Sequence, residues 1–163
     1  QNIKILYVGR IKKEKGIYSL LKIIKESKIT FSLSIVGAEK NSSTLIDQDN
    51  VNVYEVENIE ENLINFYDDH NIFVLPSYTE GHPMALLESL SRLRPVIIFK
   101  DIEHVVGDKK GIFVAERNSD SFFKTINHIK ENYNNIQQEM KENKLPTKEE
   151  FLERLSELIS KLN

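Results

Sequence analysis

The sequence predicts an α/β protein in which six parallel strands form a doubly wound, Rossmann-like sheet with helices on both faces. Short apolar runs rich in β-branched and aromatic residues alternate with stretches whose apolar residues recur at helical spacing. Because strands joined through helices pair in parallel with right-handed crossovers, the strand order 3-2-1-4-5-6 is expected. The predicted strands span residues 3–8, 31–37, 51–56, 71–75, 95–99 and 111–114.

Three crossover helices follow from local patterns. A helix over residues 16–27 has one apolar stripe, and a second helix over residues 59–68 is predicted to begin with Asn58 as N-cap and Glu61 as its reciprocal partner. A third helix follows the fourth strand, and Pro83 suits its first position. The apolar residues at helical spacing are Ile17, Leu20, Leu21 and Ile24 in the first helix, and Met84, Leu87 and Leu90 in the third.

The C-terminal third is predicted to be helical. A helix begins near Asn118, and the polar residues 132–144 after it fit either a continued helix or an exposed connection. Thr147 and Glu150 form a capping box for a C-terminal helix within residues 145–163. We expect this last helix to pack on the domain.

Composition narrows the class of protein. With 163 residues and 40% hydrophobic content, residues 1–163 suit one domain with a proper core. A net charge of −3 argues against a nucleic-acid partner, and no apolar run is long enough for direct membrane insertion. The absence of cysteine favours a cytoplasmic protein.

Residues 76–89 join the fourth strand to the third helix, and they combine polar groups with a helix start. Gly81 tolerates backbone angles that other residues avoid and lets a ligand approach the main chain. A helix start displays unpaired N–H groups and a partial positive charge, which suits a phosphate or a sugar oxygen. The amides expected to serve are those of His82, Met84, Ala85 and Leu86.

Charged residues flank this helix start. Carboxylates such as Glu80 and Glu88 accept hydrogen bonds from vicinal diols. Arg10 and Lys15 follow the first strand, in a segment that by itself fits a solvated loop. Because ligands bind at the carboxyl ends of strands near the switch point between strands one and four, we expect these four side chains to converge. Donors for phosphate beside acceptors for hydroxyls suit a nucleotide sugar.

The segment Glu80-Gly81-His82-Pro83-Met84-Ala85-Leu86-Leu87-Glu88 resembles the signature of retaining glycosyltransferases of the GT-B fold, family four. Four further motifs occur in the order of that family. They are Tyr7-Val8-Gly9-Arg10 with Lys15-Gly16, then Ile35-Val36-Gly37, Phe73-Val74-Leu75-Pro76-Ser77 and Pro95-Val96-Ile97. The resemblance implies a donor-binding domain of a two-domain enzyme.

The same resemblance implies roles for single residues. Arg10 and Lys15 contact the donor diphosphate and stabilise the charge that grows on it, while Glu80 binds hydroxyls of the transferred sugar. These three form the catalytic set. Glu88 binds the ribose, and Gly9 belongs to the donor site. No cofactor or metal is expected, because cationic residues and the helix dipole take the place of a metal ion.

The resemblance also implies partners that lie outside the sequence. The donor is a nucleotide diphosphate sugar, and the acceptor sugar or lipid-linked sugar binds through an N-terminal domain. The chain starts at Gln1 directly before a strand, so we expect an excised half that binds nucleotide weakly and is inactive alone. In relatives the terminal helix, here within residues 145–163, crosses toward that partner domain. The whole enzyme is expected in the cytoplasm, peripheral at most to the inner face of the membrane, and is expected to build bacterial surface polysaccharide.

Some positions depart from the family or fit another site. Residues 100–106 lack the glycine pair and the glutamate that are usual in the family, and Arg94 stands where glycine is usual. The nucleotide base is expected near residues 56–58, where the glycine usual in that turn is missing. Asp47 and Asp49 have the spacing of a metal-binding pair in another glycosyltransferase fold, but a polar turn is favoured.

Two other functions remain open at this point. A related GT-B epimerase or phosphorylase would need a base or cofactor lysine that is not evident, although His104 is a conceivable general base. A non-catalytic binding or assembly module would keep the fold and lose turnover. The other histidines show no metal-ligand spacing.

Overall fold

A computed structural model describes residues 2–26, 30–39, 46, 48–55, 63–147, 149–150 and 153. Its six strands all pair in parallel. They are β1 (Ile3–Val8), β2 (Phe31–Ala38), β3 (Val51–Glu55), β4 (Ile72–Leu75), β5 (Val96–Phe99) and β6 (Ile112–Ala115). The sheet order is β3-β2-β1-β4-β5-β6, so the predicted doubly wound topology is confirmed.

Between residues 2 and 147, the described ranges contain four α-helices that connect or follow the strands. They are α1 (Ile17–Lys25), α2 (Leu63–Asp69), α3 (Met84–Ser91) and α4 (Ser119–Met140). Short 3-10 turns at Lys13–Lys15 and Lys100–Val105 follow β1 and β5. Within the described ranges, no helix is both long enough and apolar enough to cross a membrane.

The helices cover both faces of the sheet. On one face Phe73 of β4 packs against Tyr67 of α2, with ring centroids 5.9 Å apart. On the other, Phe99 of β5 packs against Phe122 of α4, also at 5.9 Å. Phe73 pairs in register with Val96, and Phe99 lies three residues further along β5, so the two rings must point to opposite faces. The helix α1 lies beside α4, and α3 packs on β4 and β5.

Burial explains why the central strands are so apolar. Every residue of β4 and β5 is buried, because helices cover them on both sides. The edge strand β3 alternates between exposed and half-buried residues instead. The stripe predicted for α1 is confirmed, since all of its members are buried.

Two details of α3 differ from the sequence-based expectation. Pro83 is the N-cap with extended backbone (φ −75°, ψ 98°), and the helix begins one residue later. Leu86, Ser89 and Leu90 form the buried face, whereas Met84 is 43% exposed. Proline cannot donate a backbone hydrogen bond, so it fits the cap as well as the first helical position.

The C-terminal predictions have mixed coverage. The helix α4 begins at Ser119, near the expected position. Asn118 is its N-cap, accepting a hydrogen bond from the Ser121 amide at 2.9 Å, and the helix continues through the polar stretch to Met140. The capping box is present, with reciprocal bonds of 3.0 and 3.2 Å between Thr147 and Glu150. Several expectations lie outside the described residues. They concern most of the helix predicted after the capping box, the cap pair Asn58 and Glu61, residues 56–58, and Asp47.

Candidate functional site

The loops after β1 and β4 touch each other at the carboxyl edge of the sheet. The Tyr78 amide donates to the Glu14 carbonyl at 3.1 Å. Gly16, with φ +70°, lies against Pro76 in the loop after β4. A β-carbon added at Gly16 would stand 1.9 Å from the Pro76 carbonyl oxygen. Only glycine permits this approach. The two loops are therefore held at a fixed distance by backbone groups.

A charged cluster forms where these loops meet. Lys15 Nζ donates to Glu80 Oε1 at 2.9 Å, and Ser77 Oγ donates to the same oxygen at 2.6 Å. The Glu80 side chain is 10% exposed and that of Lys15 is 33% exposed. Both bonds use one oxygen of the carboxylate, so its second oxygen has no hydrogen bond from any residue of the described ranges. That oxygen remains available to a hydroxyl.

The second carboxylate is held from α2. The Tyr67 hydroxyl donates to Glu88 Oε2 at 2.8 Å and also lies 3.3 Å from the Ala85 carbonyl. Burial raises the pKa of Tyr67, and the negative charge of Glu88 raises it further. Tyr67 therefore stays protonated and serves as a permanent donor. Again one carboxylate oxygen is engaged and the other is not, among the residues described.

The start of α3 presents free backbone donors. The amides of Met84, Ala85 and Leu86 lie in the first turn of α3, where no helical carbonyl stands four residues before them. The Leu87 amide is the first to donate to such a carbonyl, that of Pro83. No side chain caps these groups and no acidic residue lies in the first turn. The positive end of the helix is thus uncompensated and suits an anion.

The charged cluster and the start of α3 line a pocket of about 230 Å³. It contains the end of β1, the charged cluster and the start of α3. Its lining residues are Tyr7, Val8, Gly9, Lys15, Leu75, Glu80, His82, Pro83, Met84 and Ala85. The ends of β1 and β4 meet here, as the topology predicted, but of the four side chains expected to converge only Lys15 and Glu80 line this pocket, whereas Glu88 lines a neighbouring pocket with Met84 and Leu87.

Tyr7 lines the pocket and bonds the loop that carries Arg10 and Lys15. Its side chain is completely buried, and its hydroxyl donates to the Arg10 carbonyl at 2.8 Å. Burial raises the pKa of Tyr7, and the charges of Glu80 and Glu14 add to the shift. Arg10 itself is exposed, and its side chain has no hydrogen-bond partner within the described ranges. Its guanidinium is therefore free to meet a ligand.

Arg117 is the residue of this edge that sequence reasoning missed. It lies after β6, and its guanidinium donates to the carbonyls of Pro76 and Ser77 at 2.9 and 3.3 Å. It also pairs with Asp101 at 2.6 Å and stacks over the Tyr78 ring at 4.0 Å. The available signal is positional, since any residue directly after β6 must lie at this same edge.

Three other expectations are refined by the geometry. Gly81 does not use a positive φ, and a β-carbon there would meet nothing within 4 Å, so only its openness toward a ligand remains. His82 is exposed at the pocket rim. His104 Nε2 donates to the Glu80 carbonyl at 2.8 Å, which joins this ring to the loop after β4. The part of the chain that the structure describes contains no group of three metal-ligating side chains.

Comparisons with known proteins agree with this geometry. A family model described as "Glycosyl transferases group 1" matches residues 1–145. The chain is 31% identical over 128 residues to the capsular polysaccharide biosynthesis glycosyltransferase CapM of Staphylococcus aureus, covering 71% of this chain and 33% of that protein. The chain spans between 23% and 36% of the length of the curated relatives it matches.

Solved structures show the same fold. Sucrose-phosphate synthase from Thermosynechococcus elongatus superposes with a TM-score of 0.75 at 19% identity, covering 99% of this chain and 46% of that one. Anabaena Alr3699/HepE in complex with UDP-glucose superposes with a TM-score of 0.67 at 13% identity, covering 86% and 42%. The resemblance to GT-B glycosyltransferases that the motifs indicated is confirmed.

Proposed function

The chain belongs to the family of group 1 glycosyl transferases, and we propose that it is the donor-binding half of a retaining enzyme that moves a sugar from a nucleotide diphosphate sugar to an acceptor. The observation that supports this most directly is the contact of Lys15 with Glu80 beside the start of α3. In this pocket a cation and free amides suit the diphosphate of such a donor, and a carboxylate suits the hydroxyls of its sugar.

The cationic side would bind the diphosphate. Lys15 offers a mobile point charge and Arg10 a fork that can engage two phosphate oxygens. The amides of Met84, Ala85 and Leu86 add the partial charge of the helix start. As the bond between sugar and phosphate breaks, negative charge grows on the leaving diphosphate, and these groups stabilise it. We propose that they do so without a resident metal ion.

The carboxylates would bind hydroxyls. Glu80, fixed by Ser77 and Lys15, presents its second oxygen to the transferred sugar. Glu88, fixed by Tyr67, presents its other oxygen to the ribose. Because each carboxylate is already oriented, little side-chain entropy is lost when the donor binds. Gly9 completes the site by letting the donor lie close to the end of β1.

The acceptor would bind elsewhere in a longer protein. The curated relatives are about three to four times as long as their match to this chain, and CapM is named for capsular polysaccharide biosynthesis. We propose that an N-terminal domain binds the acceptor and that the enzyme builds a bacterial surface polysaccharide at the cytoplasmic face of the membrane. By itself the chain would bind the nucleotide and transfer nothing.

Calorimetric titration of the chain with UDP, GDP and ADP tests the proposal. We expect one nucleotide to bind and the variants Lys15→Ala and Glu88→Ala each to weaken it by about tenfold, the value of one hydrogen bond to a charged group. Lys124→Ala is the matched control, since Lys124 forms an exposed ion pair with Asp120 on α4, outside the pocket. Absence of binding, or equal binding by all variants, favours a non-catalytic module instead.

A further inference from the structure

Arg117 joins the loops that follow three different strands. Nη1 donates to the Pro76 carbonyl and Nη2 to the Ser77 carbonyl, both after β4. Nε and Nη2 donate to Asp101 after β5 at 3.0 and 2.6 Å, while Arg117 itself follows β6. The side chain is only 17% exposed. A guanidinium that is this buried and that donates hydrogen bonds to three partners has a fixed position.

Two aromatic rings confine the guanidinium further. Its carbon lies 4.0 Å from the ring centroid of Tyr78 and 4.5 Å from that of Phe99. Contacts of this kind favour a cation over the ring face, and they act together with the hydrogen bonds of the guanidinium. A lysine has neither the planar shape nor enough donors to reproduce the arrangement.

The loop that Arg117 holds is the one that orients Glu80. Ser77, whose carbonyl accepts from Arg117, donates its hydroxyl to Glu80 Oε1 at 2.6 Å. Tyr78, whose ring lies against Arg117, donates its amide to Glu14, the neighbour of Lys15. Both residues that bond the Glu80 carboxylate are thus linked to Arg117 through a short series of contacts.

From this chain of contacts we propose that Arg117 is a positioning residue of the donor site, which sets the Glu80 carboxylate for contact with the transferred sugar without touching the donor itself. The inference rests on the proposed function for the identity of the ligand. It predicts that loss of Arg117 removes the contribution of the sugar to binding while diphosphate binding through Lys15 and the helix start persists.

The first arm of the test needs no nucleotide. Amide hydrogen exchange at Tyr78, measured by NMR in the free chain, is expected to speed up at least about tenfold in Arg117→Met, because the loop loses its anchor. Arg117→Lys is expected to fall between wild type and Arg117→Met. Arg92→Met is the matched control, since Arg92 also pairs with an aspartate, Asp68, but contacts no loop of the pocket. Unchanged exchange at Tyr78 overturns the inference whatever the nucleotide result.

The second arm compares a nucleoside diphosphate with its nucleotide sugar, using the nucleotide that wild type binds. We expect Arg117→Met to weaken the nucleotide sugar about tenfold and the diphosphate less than about threefold, as loss of one charged hydrogen bond predicts. In the background of Glu80→Gln, Arg117→Met should have no further effect on the sugar's contribution. Equal weakening of both ligands, or additive effects with Glu80→Gln, would show a merely structural role. Failure of wild type to bind any nucleotide would reject the proposed function alone.

Discussion

Gly16 packs directly on the backbone of Pro76, so closely that a β-carbon would lie 1.9 Å from its carbonyl oxygen. This contact connects the residue after the basic loop with the residue after β4, sixty positions apart in the chain. It sets the distance across which Lys15 reaches Glu80. The ion pair of Lys15 with Glu80 thus depends on the absence of a side chain at Gly16.

Gly16→Ala is expected to destabilise the fold by more than about 2 kcal/mol, because the left-handed backbone and the clash with Pro76 add together. Urea denaturation measures the change. Gly81→Ala is the control, since a β-carbon at Gly81 would have no atom within 4 Å and the φ of this residue is not positive. A Gly16→Ala protein as stable as Gly81→Ala would contradict the close approach.

Glu80→Gln should separate sugar binding from diphosphate binding. In the free protein Glu80 holds the ammonium of Lys15, so its neutralisation releases that cation for the diphosphate. We expect the nucleoside diphosphate to bind equally or a few fold tighter, while the extra affinity of the nucleotide sugar is lost. Stability should change by less than about 1 kcal/mol, since Lys15 is one third exposed and solvent screens the pair. Parallel calorimetric titrations decide the matter, and weaker diphosphate binding would argue against competition for Lys15.

Tyr67→Phe should weaken nucleotide binding by about threefold to tenfold, because Glu88 loses the donor that orients it. The expected cost in stability is about 1 kcal/mol. Tyr133→Phe is a matched control, since the Tyr133 hydroxyl donates to the Asn71 carbonyl at 2.7 Å, before β4 and away from the pocket. Calorimetry and urea denaturation on both variants give the comparison. Equal nucleotide affinity in the two would mean that Glu88 needs no support from α2.

His70 should make stability fall in mild acid. Burial lowers the pKa of His70, although its bond to the Phe66 carbonyl opposes the shift, and its other ring nitrogen bonds Ser34 at 2.8 Å. Lys4 and Arg94 lower the pKa further, whereas Asp69 raises it. Below about pH 6.5 the unfolded chain takes up a proton that the folded chain resists. The stabilising contribution is therefore present above that pH and is lost as the pH falls toward the lowered folded value.

Urea midpoints at about pH 7.5 and about pH 5.5 test this dependence. The difference between the two should shrink in His70→Gln. His128→Gln is the control, because His128 is exposed on α4. An unchanged pH difference in His70→Gln would assign the acid sensitivity to other groups.

Much of the fold follows from local patterns. The apolar run Ile72–Leu75 and the stripe of α1 mark elements that must be buried, and burial on both faces requires a covered parallel sheet. The order of the strands then follows from handed crossovers. Because the carboxyl ends of adjacent parallel strands share an edge, even the meeting of Lys15 with Glu80 could be expected from residue types and topology.

Other contacts depend on the exact placement of elements in space. Arg117 reaches Pro76 across forty-one positions, and Tyr67 reaches Glu88 across twenty-one. No periodicity encodes such pairs, because each depends on how far a helix or loop is shifted and rotated against the sheet. The stripe expected on α3 is only partly buried for the same reason, since Leu90 is buried whereas Met84 has the right spacing but is exposed and lines the pocket. The helices, strands and buried apolar faces of this chain follow from local sequence patterns. The partners of its polar side chains are decided only when the packed layers bring distant segments together.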